Sequence, residues 1–422
     1  MVIPPKQRPL SPTEHLLLQR QASTWLQEGV IEIRRKPQPI NNNLVFVAKK
    51  DGTTRVCVDC TPVNKVTKSF DWTLPRLQDI RHFSKKFKIF TRLDLKAAFF
   101  RINIPARYRH YTSFTCDNQQ YQFKKMPFGV STGPSTFQCF MDHWLAAHRY
   151  YVVCYIDDIL IGGDNVRELR QRTRLVTQDI VQGGNVINQD KSAYEKTTLL
   201  FAGLCLTADG IGPNREKLLS ILTTPLPRSK AAMQSALGLV SYLRDFIPLV
   251  SHFTAGLYGG EGSLAPHEYE TQWGELLRHV RAAASSVRHF REHEDADLYA
   301  DASGYGLGVV LIQGRKLVAV ASRKLTSAEC NYSATDREHC ALVFAAKKFR
   351  TFLHRPKSVT RVHSDHAALI GKRNDDMTPR QVRWQSIVNQ WMPNVVHVPG
   401  KDNPADFFSR WDVEIAGGVI SI

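Results

Sequence analysis

The sequence predicts a multidomain α/β protein, and three observations support that prediction. The chain has 422 residues, which exceeds the length at which one hydrophobic core usually stops growing, so two or three packed units are expected. With 43% hydrophobic and 10% aromatic residues, it has the composition of a globular protein. Runs of β-prone residues alternate with helical stretches over much of the chain, as they do in mixed α/β domains.

The chain is strongly basic. It has 56 Lys and Arg against 39 Asp and Glu, a formal net charge of +17. Such a surplus favours a polyanionic partner, either nucleic acid or an acidic membrane surface. No apolar run approaches the length needed to span a bilayer, and the N-terminus lacks the layout of a signal peptide. We therefore expect nucleic acid as the partner and no membrane.

The cysteines indicate a reducing, intracellular compartment. All eight are scattered, and most lie in apolar stretches, as reduced buried thiols do. Cys57 and Cys60 form a Cys-x-x-Cys pair, which binds zinc only when two further ligands lie nearby. None follows at a suitable spacing, so we interpret the pair as structural.

The first elements have clear local signals. A helix is predicted from Ser11 to Gly29, with Ser11 as N-cap, Glu14 completing a capping box and Gly29 as the stop. The β-prone runs 44–48 and 55–58 flank Lys49-Lys50-Asp51-Gly52, and Asp-Gly between two such runs predicts a hairpin.

Three regions of different predicted secondary structure follow along the rest of the chain. A mixed α/β region with strands predicted at 89–94, 110–115, 120–124, 151–156 and 159–162 gives way to a helical region with helices predicted at 214–223, 229–246 and 271–287. A compact α/β domain begins near Asp297. Its predicted elements are strands near 298–300 and at 309–312, 316–322, 359–364 and 394–398, and helices at 336–351, 366–371 and 404–410.

Three carboxylates of the mixed region, Asp94, Asp157 and Asp158, fall at predicted strand ends. An Asp-Asp pair at a tight turn suffers like-charge repulsion, and a divalent cation usually keeps such a cluster ionised. A plain polar hairpin turn is the alternative, and it would be the better choice for an isolated pair. The surrounding motifs favour the metal site.

Those motifs are Leu93-Asp94-Leu95-Lys96-Ala97-Ala98-Phe99, Met126-Pro127-Phe128-Gly129 and Tyr155-Ile156-Asp157-Asp158. In order and spacing they resemble the palm of a Ty3/gypsy-type LTR retrotransposon reverse transcriptase. The resemblance implies a right-hand polymerase with fingers, palm and thumb that copies an RNA or DNA template with two Mg²⁺ ions, for which Mn²⁺ is an alternative.

The resemblance also implies residue roles. Asp94, Asp157 and Asp158 become metal ligands together with the Leu95 carbonyl, and Phe99 becomes the steric gate against a ribose 2′-hydroxyl. The implied nucleotide-binding residues are Lys49, Arg55, Leu95, Phe99, Phe128, Gly129 and Lys191. A solvated lysine is the alternative for Lys49, and a core aromatic for Phe99. Phe201-Ala202-Gly203 resembles the primer-grip strand.

The sequence departs from the family at a few positions. Thr61 stands where an arginine is usual, Cys60 replaces an aromatic residue, Ala97-Ala98 replaces a Ser-Gly-like pair and Val130 to Pro134 varies a Leu-x-Asn-Ala-Pro-like stretch. We expect the changes at Thr61, Cys60 and Ala97-Ala98 to alter nucleotide affinity. The last stretch retains Gly133 and Pro134 for close backbone approach to the template.

Four further carboxylates, Asp301, Glu338, Asp365 and Asp406, occupy strand ends or first helical turns of the last domain. Two of them have a simpler explanation as capping-box residues. Glu338 lies three residues after Thr335, and Asp406 lies three residues after Asn403. As a set they resemble the carboxylates of the RNase H domain of the same elements. That implies two Mg²⁺ ions and cleavage of the RNA strand of an RNA/DNA hybrid.

The last loop lacks one feature of the RNase H family. No histidine lies between Pro399 and Asp406, where related enzymes place one, and His397 is the candidate substitute.

We expect fingers and palm at 1–212, a helical thumb or connection at 213–290, an RNase H-like domain at 291–412 and a tail or linker at 413–422. Neither an aspartic-protease motif nor an integrase zinc pattern is present, so the chain resembles a piece of a Pol polyprotein. The implied partners are RNA template, DNA primer, RNA/DNA hybrid and dNTPs, with a homodimer as one arrangement. The implied location is cytoplasmic, within virus-like particles. The rival interpretations are a scaffold without catalysis and a nucleic-acid chaperone.

Overall fold

The structure is a computed structural model that describes residues 7–36, 40–48, 52, 54–247, 250–254, 256–259, 266–283, 287–304, 306–314, 316–353, 358–364, 377–392 and 395–397. Two compact units divide the chain at Ala202/Gly203. The predicted boundaries at residues 212, 290 and 412 stay predictions.

The helices of the first unit are α1 (Pro12–Gln27), α2 (Thr61–Asn64), α3 (Leu77–Ser84), α4 (Gly133–Trp144) and α5 (Val166–Gln182). Its strands are β1 (Ile31–Ile33), β2 (Leu44–Ala48), β3 (Thr54–Val58), β4 (Ile89–Lys96), β5 (Phe114–Cys116), β6 (Gln119–Phe123), β7 (Val152–Tyr155), β8 (Asp158–Gly163), β9 (Val186–Lys196) and β10 (Thr198–Phe201). Short 3-10 helices lie at Ala98–Arg101, Ala106–Thr112 and Ala146–His148.

Helix α1 begins as predicted. The Glu14 backbone N–H donates to the Ser11 hydroxyl, and the Glu14 carboxylate accepts from the Ser11 N–H, which completes the capping box. The buried residues Leu18, Ala22 and Trp25 pack this helix against the small sheet β1-β6-β5 and the hairpin β2-β3. The predicted hairpin is confirmed, with Ala48 paired to Thr54 and Leu44 to Val58.

The region that contains Asp94, Asp157 and Asp158 is built on the antiparallel sheet β7-β8-β4-β9. Its core combines alternate residues of β4 and β8 with the apolar faces of α4 and α5, including Leu93, Phe137, Ile159 and Val176, all of them fully buried. Strand β4 lies inside the sheet, with β8 on one side and β9 on the other. This arrangement brings residues far apart in sequence to one end of β4.

The helices of the second unit are α6 (Arg215–Leu222), α7 (Lys230–Tyr242), α8 (Val250–Thr254), α9 (Pro266–Ala283), α10 (Ser327–Cys330), α11 (Ala334–Leu353) and α12 (Pro379–Trp391). Its strands are β11 (Leu204–Thr207), β12 (Gly210–Pro213), β13 (Val287–Arg288), β14 (Ala296–Ala302), β15 (Gly306–Gln313), β16 (Lys316–Lys324), β17 (Thr360–Ser364) and β18 (Val395–His397). Short 3-10 helices lie at Arg244–Phe246 and Leu257–Gly259.

The last five of these strands form the sheet β16-β15-β14-β17-β18. Strand β15 is antiparallel to its neighbours β14 and β16, whereas β17 is parallel to its neighbours β14 and β18. Helix α11 packs on β14 and β15 and contacts α12. The core between them is apolar and includes Leu298, Leu311, Ala341 and Val362, none of which is exposed. Within the described ranges, no helix is both long and apolar enough to span a membrane.

Three predicted elements differ from the structure. The strand predicted at 110–115 is a 3-10 helix up to Thr112 and a strand only from Phe114, because the Thr112 and Ser113 hydroxyls donate to carbonyls three residues earlier and so favour turns. The helix predicted at 229–246 ends at Tyr242, and the one predicted at 271–287 runs from Pro266 to Ala283. The helices predicted at 366–371 and 404–410 lie outside the described residues.

Candidate active sites

The ladder between β4 and β8 brings two of the predicted carboxylates together. Asp94 of β4 pairs with Asp158, the first residue of β8. Tyr155 also pairs with Asp158, so β7 and β8 are joined by the two-residue turn Ile156-Asp157. The Leu95 N–H donates to the Asp157 carbonyl at 3.2 Å, which ties the turn to β4. All three predicted carboxylates therefore lie at one end of this sheet.

The turn that carries Asp157 has an unusual backbone conformation. Ile156 has φ = +58°, a left-handed conformation that β-branched residues rarely adopt. Gln138 of α4 offsets its cost. The Ile156 N–H donates to Gln138 Oε1 at 2.8 Å, and Gln138 Nε2 donates to the Cys154 carbonyl at 2.9 Å and to Asp142 Oδ1 at 2.8 Å. The Gln138 side chain is fully buried, and its bond to the Cys154 carbonyl is shielded from water.

Strand β9 fixes the position of Asp94. The Asn188 side chain donates from Nδ2 to Asp94 Oδ2 at 3.1 Å. The Asp94 backbone N–H donates to the Ser192 hydroxyl at 3.2 Å, and that hydroxyl donates to the Asn188 carbonyl at 2.7 Å. One carboxylate oxygen of Asp94 is thus oriented by an amide group from a neighbouring strand.

Burial raises the pKa of both carboxyl groups at the turn. For Asp158, burial is the main cause and the negative charges of Asp157 and Asp94 add to it, against the opposing charge of Arg92, and the pKa rises to about 6. The pKa of Asp157 is also raised, again chiefly by burial, with Asp94 contributing. A carboxylate cluster with raised pKa values is stabilised by any cation that binds between its members.

The donor set fits a hard divalent cation, because carboxylate and carbonyl oxygens are the ligands that Mg²⁺ prefers. Within the part of the chain that the structure describes, however, no group of three or more His, Cys, Asp or Glu side chains is arranged as a ready-made metal site. One oxygen of Asp94 is engaged by Asn188, and the carboxylates repel one another. Leu95, the predicted carbonyl ligand, is buried beside them in β4.

Three aromatic rings pack together with Arg55, whose charge acts on Asp157. The Phe99 ring lies 5.3 Å from that of Phe128 and 5.6 Å from that of Phe137, between centroids. The Arg55 guanidinium lies 5.0 Å from the centroid of Phe128, and its side chain is exposed. The structure therefore brings the predicted residues Arg55, Phe99 and Phe128 together.

Gly129 is required by the backbone that presents Phe128. It has φ = +99°, and an added Cβ would come within 3.2 Å of the Val58 carbonyl. The Asn64 side chain donates to the Gly129 carbonyl and accepts from the Ser131 N–H, at 2.8 Å in each case. The other predicted nucleotide contacts are Lys191, which is exposed on β9, and Lys49, which lies outside the described residues.

The second set of carboxylates is described in part. Asp301 lies in β14 and Glu338 in α11, and both are nearly buried, at 9% and 8% exposed. Glu338 Oε1 accepts from the N–H of Ala302 at 3.2 Å, so its carboxylate lies beside the residue that follows Asp301. The structure thus brings these two predicted residues together. Asp365 and Asp406 lie outside the described residues.

The capping role considered for Glu338 is not what the structure shows. Helix α11 begins at Ala334, and the Ser333 hydroxyl accepts from the Asp336 N–H at 3.1 Å, so Ser333 provides the cap. The Asp336 carboxylate accepts from Arg380 and Gln381 of α12, each at 2.7 Å. The alternative at Asn403 and the side chain of His397 lie outside the described residues.

Sequence reasoning missed the residues that orient the carboxylates, namely Gln138, Asn188 and Ser192. For Gln138 a signal was present, because it lies between Phe137 and Met141 on the apolar face of α4, where a polar side chain must find partners. No comparable signal marks Asn188 or Ser192, since the course of β9 was not predicted.

Comparison with known proteins identifies two domains in the chain. Residues 47–206 match the family model of the reverse transcriptase (RNA-dependent DNA polymerase), and residues 268–391 match that of the RNase H-like domain found in reverse transcriptase. The carboxylates Asp94, Asp157 and Asp158 fall within the first match, and Asp301 and Glu338 within the second. The chain therefore carries the domains of a reverse transcriptase with an associated RNase H.

Curated relatives come from a retrotransposon. The Tf2-3 and Tf2-7 transposon polyproteins of Schizosaccharomyces pombe are 30% and 29% identical to the chain over 426 aligned positions, which cover 97% of it. The chain spans 31% of the length of each polyprotein.

Solved structures show the same fold. The foamy viral protease-reverse transcriptase in complex with double-stranded DNA has a TM-score of 0.75 at 20% identity, covering 94% of this chain and 72% of that one. The same viral protein in complex with an RNA/DNA hybrid has a TM-score of 0.71 at 20% identity, covering 99% and 57%.

The chain contains a reverse transcriptase domain and an RNase H-like domain of the kind found in reverse transcriptases, and it is similar to LTR retrotransposon polyproteins. The predicted resemblance and the predicted fold class are confirmed.

Proposed function

We propose that the chain copies RNA and DNA templates into DNA at the Asp94, Asp157 and Asp158 site, in the replication of an LTR retrotransposon. The observation that carries the proposal is the pairing of Asp94 with Asp158 at the Ile156-Asp157 turn, which collects three carboxylates within one sheet. The orienting contacts from Gln138 and Asn188 support a catalytic use, because a plain polar turn needs no such support.

Asp94, Asp157, Asp158 and the Leu95 carbonyl would hold two divalent cations, Mg²⁺ or Mn²⁺, at the polymerase site. Asp301 and Glu338, with the predicted Asp365 and Asp406, would hold two at the nuclease site. When bound, such ions lower the pKa of the attacking hydroxyl or water and offset the negative charge that develops on the phosphate.

The chain's own side chains select and place the nucleotide. The Phe99 ring, held by Phe128 and Phe137, presents a rigid face where a ribose 2′-hydroxyl would clash. The Arg55 guanidinium is exposed beside Phe128, so its donors are available to the triphosphate. Lys49 and Lys191 would contribute further positive charge.

Primer extension tests the polymerase. With Mg²⁺, dNTPs and a primed RNA template, the wild-type chain should extend the primer, and Asp157→Asn should abolish extension. Asp164→Asn is the control, because Asp164 is an exposed aspartate just beyond β8. Binding of template without extension by the wild type would instead indicate a scaffold or a chaperone, whose binding falls steeply with added salt.

We infer that the second site cleaves the RNA strand of RNA/DNA hybrids. The contact between Glu338 and the Ala302 N–H supports this function, because it places a buried carboxylate beside Asp301. A labelled hybrid should be cut by the wild type and by Asp157→Asn, but not by Asp301→Asn. Asp301→Asn should still extend primers. Because each variant keeps the activity that the other loses, a loss of activity in either one is not due to misfolding of the chain. If the wild-type chain does not cleave the hybrid, this domain has no catalytic function.

Primed templates, RNA/DNA hybrids and dNTPs are the partners that this proposal requires. The net charge of +17 supports nucleic-acid binding. A homodimer and a cytoplasmic location within virus-like particles stay predictions.

A further inference from the structure

Arg92 makes two contacts with consequences for the polymerase site. Its guanidinium donates from Nη1 to the Leu200 carbonyl at 2.8 Å and from Nη2 to the Lys191 carbonyl at 2.7 Å. Arg92 lies in β4, two residues before Asp94, while Lys191 lies in β9 and Leu200 in β10. One side chain therefore links three strands beside the carboxylates.

The Lys191 carbonyl belongs to an irregular stretch of β9. Asp94 pairs with Asn188, and Arg92 pairs with Ala193, with a shift of register between the two pairs. Between these two pairs β4 has a single residue, Leu93, whereas β9 has four. Residues 189–192 therefore bulge out of the ladder. Such a bulge leaves backbone groups without ladder partners, and the Arg92 guanidinium provides one of them with a donor.

We propose that Arg92 is a positioning residue that holds Lys191 and the β10 strand in place relative to Asp94. The proposal rests on the proposed polymerase function, in which Lys191 contacts the triphosphate and the segment after Leu200 contacts the primer. A planar guanidinium suits this task because its two Nη groups reach two separate carbonyls from a fixed geometry, whereas a lysine carries its three donors on one nitrogen.

A second arginine also binds β9 and provides a matched comparison. Arg170 of α5 donates to both carboxylate oxygens of Glu195, at 2.6 Å and 3.0 Å. Its side chain is largely exposed, and its partner is a side chain rather than the backbone. Exposed ion pairs of this kind contribute little to stability. Arg170 thus contacts the same strand as Arg92 without contacting the bulge.

The test compares Arg92→Lys and Arg92→Met with Arg170→Met. The measurements are KM for dNTP and kcat in primer extension, Kd for the primed template, and amide hydrogen exchange of residues 188–201. The Arg92 variants should raise KM for dNTP and Kd for the primed template, with an overall loss in kcat/KM of about ten- to a hundredfold, the range for losing hydrogen bonds to a charged group. Exchange should increase in residues 188–201 but not in β7 and β8.

Arg170→Met should leave all these quantities near their wild-type values. Arg92 variants with wild-type KM and Kd would overturn the proposal, whether or not their thermal stability falls. So would exchange that increases equally throughout the sheet, since that result indicates a purely structural role. If Arg92→Met does not fold, Arg92→Lys decides alone, because it keeps the charge and most of the volume. A wild-type chain that extends no primer refutes the proposed function itself, and the exchange measurement then still reports on the strand contacts.

Discussion

The backbone N–H of Ile156 donates to Gln138 Oε1, so a buried helix side chain supports the left-handed residue that precedes Asp157. Without this bond the turn would carry both its conformational cost and a half-buried N–H that has lost its partner within the protein. This contact is therefore the main support for the turn that carries Asp157.

Replacing Gln138 by Leu should therefore lower both kcat and the free energy of unfolding. The change removes the donor to the Cys154 carbonyl and the acceptor for Ile156 while keeping a similar volume. We expect a loss of about 1–3 kcal/mol in the free energy of unfolding and a fall in kcat of at least about tenfold. Primer extension and urea unfolding measure the two effects. Gln178→Leu on the exposed side of α5 is the control, and full kcat in Gln138→Leu would contradict the supporting role.

Replacing Phe99 by Val should increase the use of ribonucleotides. The smaller side chain opens space next to Phe128 and Gly133, where the Phe99 ring now packs. Incorporation of rNTPs relative to dNTPs, measured as a ratio of kcat/KM values, should rise by at least about tenfold. Some stability should also be lost, about 1–3 kcal/mol, because the ring is half-buried. An unchanged ratio would show that Phe99 is only a core aromatic.

Replacing Glu338 by Gln should abolish hybrid cleavage and leave primer extension intact. The amide keeps an oxygen that accepts from the Ala302 N–H, so the contact with β14 survives while the negative charge is lost. A hybrid-cleavage assay and a primer-extension assay on the same preparation separate the two outcomes. Cleavage at the wild-type rate would mean that this carboxylate is dispensable.

The Arg323 and Glu329 pair should make the second unit sensitive to acid. The Arg323 guanidinium donates to both carboxylate oxygens of Glu329 at 2.7 Å and lowers the pKa of Glu329 to about 2, with a smaller contribution from Thr326. Because this pKa is depressed on folding, the stabilisation is fully present above the ordinary pKa of the carboxyl group, about 4.5, and is lost as the pH falls towards 2.

The comparison of wild type with Glu329→Gln tests this dependence. The variant should be less stable than wild type at pH 7, and the difference in the free energy of unfolding should shrink as the pH is lowered from 4.5 towards 2. A difference that does not change with pH would rule out the ion pair as its source.

Local patterns carried much of the sequence prediction. The capping box at Ser11 and Glu14, the Asp-Gly hairpin and the strands on both sides of Asp157 were predictable because each depends on residues close together in the chain. The assignment of Asp94 to the same site came from a family resemblance. No local rule predicts that β4 pairs with β8.

What could not be predicted depends on tertiary contacts. Helix α12, which holds Asp336 through Arg380 and Gln381, has polar residues on much of its surface and a weak periodic signal. The bulge of β9 is defined by the pairing of that strand with Arg92 and Asp94, which are about 95 to 100 residues away in sequence. Such features follow from the sheet as a whole, so they become visible only in the structure.

The inner position of β4 in its sheet also constrains the order in which the chain can fold. During synthesis on a ribosome, β4 emerges well before β8 and much earlier than β9. Strand β8 pairs with one edge of β4, and β9 pairs with the other. Until residues 186–196 are available, that edge keeps unpaired N–H and C=O groups, and such edges are where chains associate wrongly. The polymerase site should therefore form late, and synthesis arrested before residue 186 should yield a chain prone to aggregation.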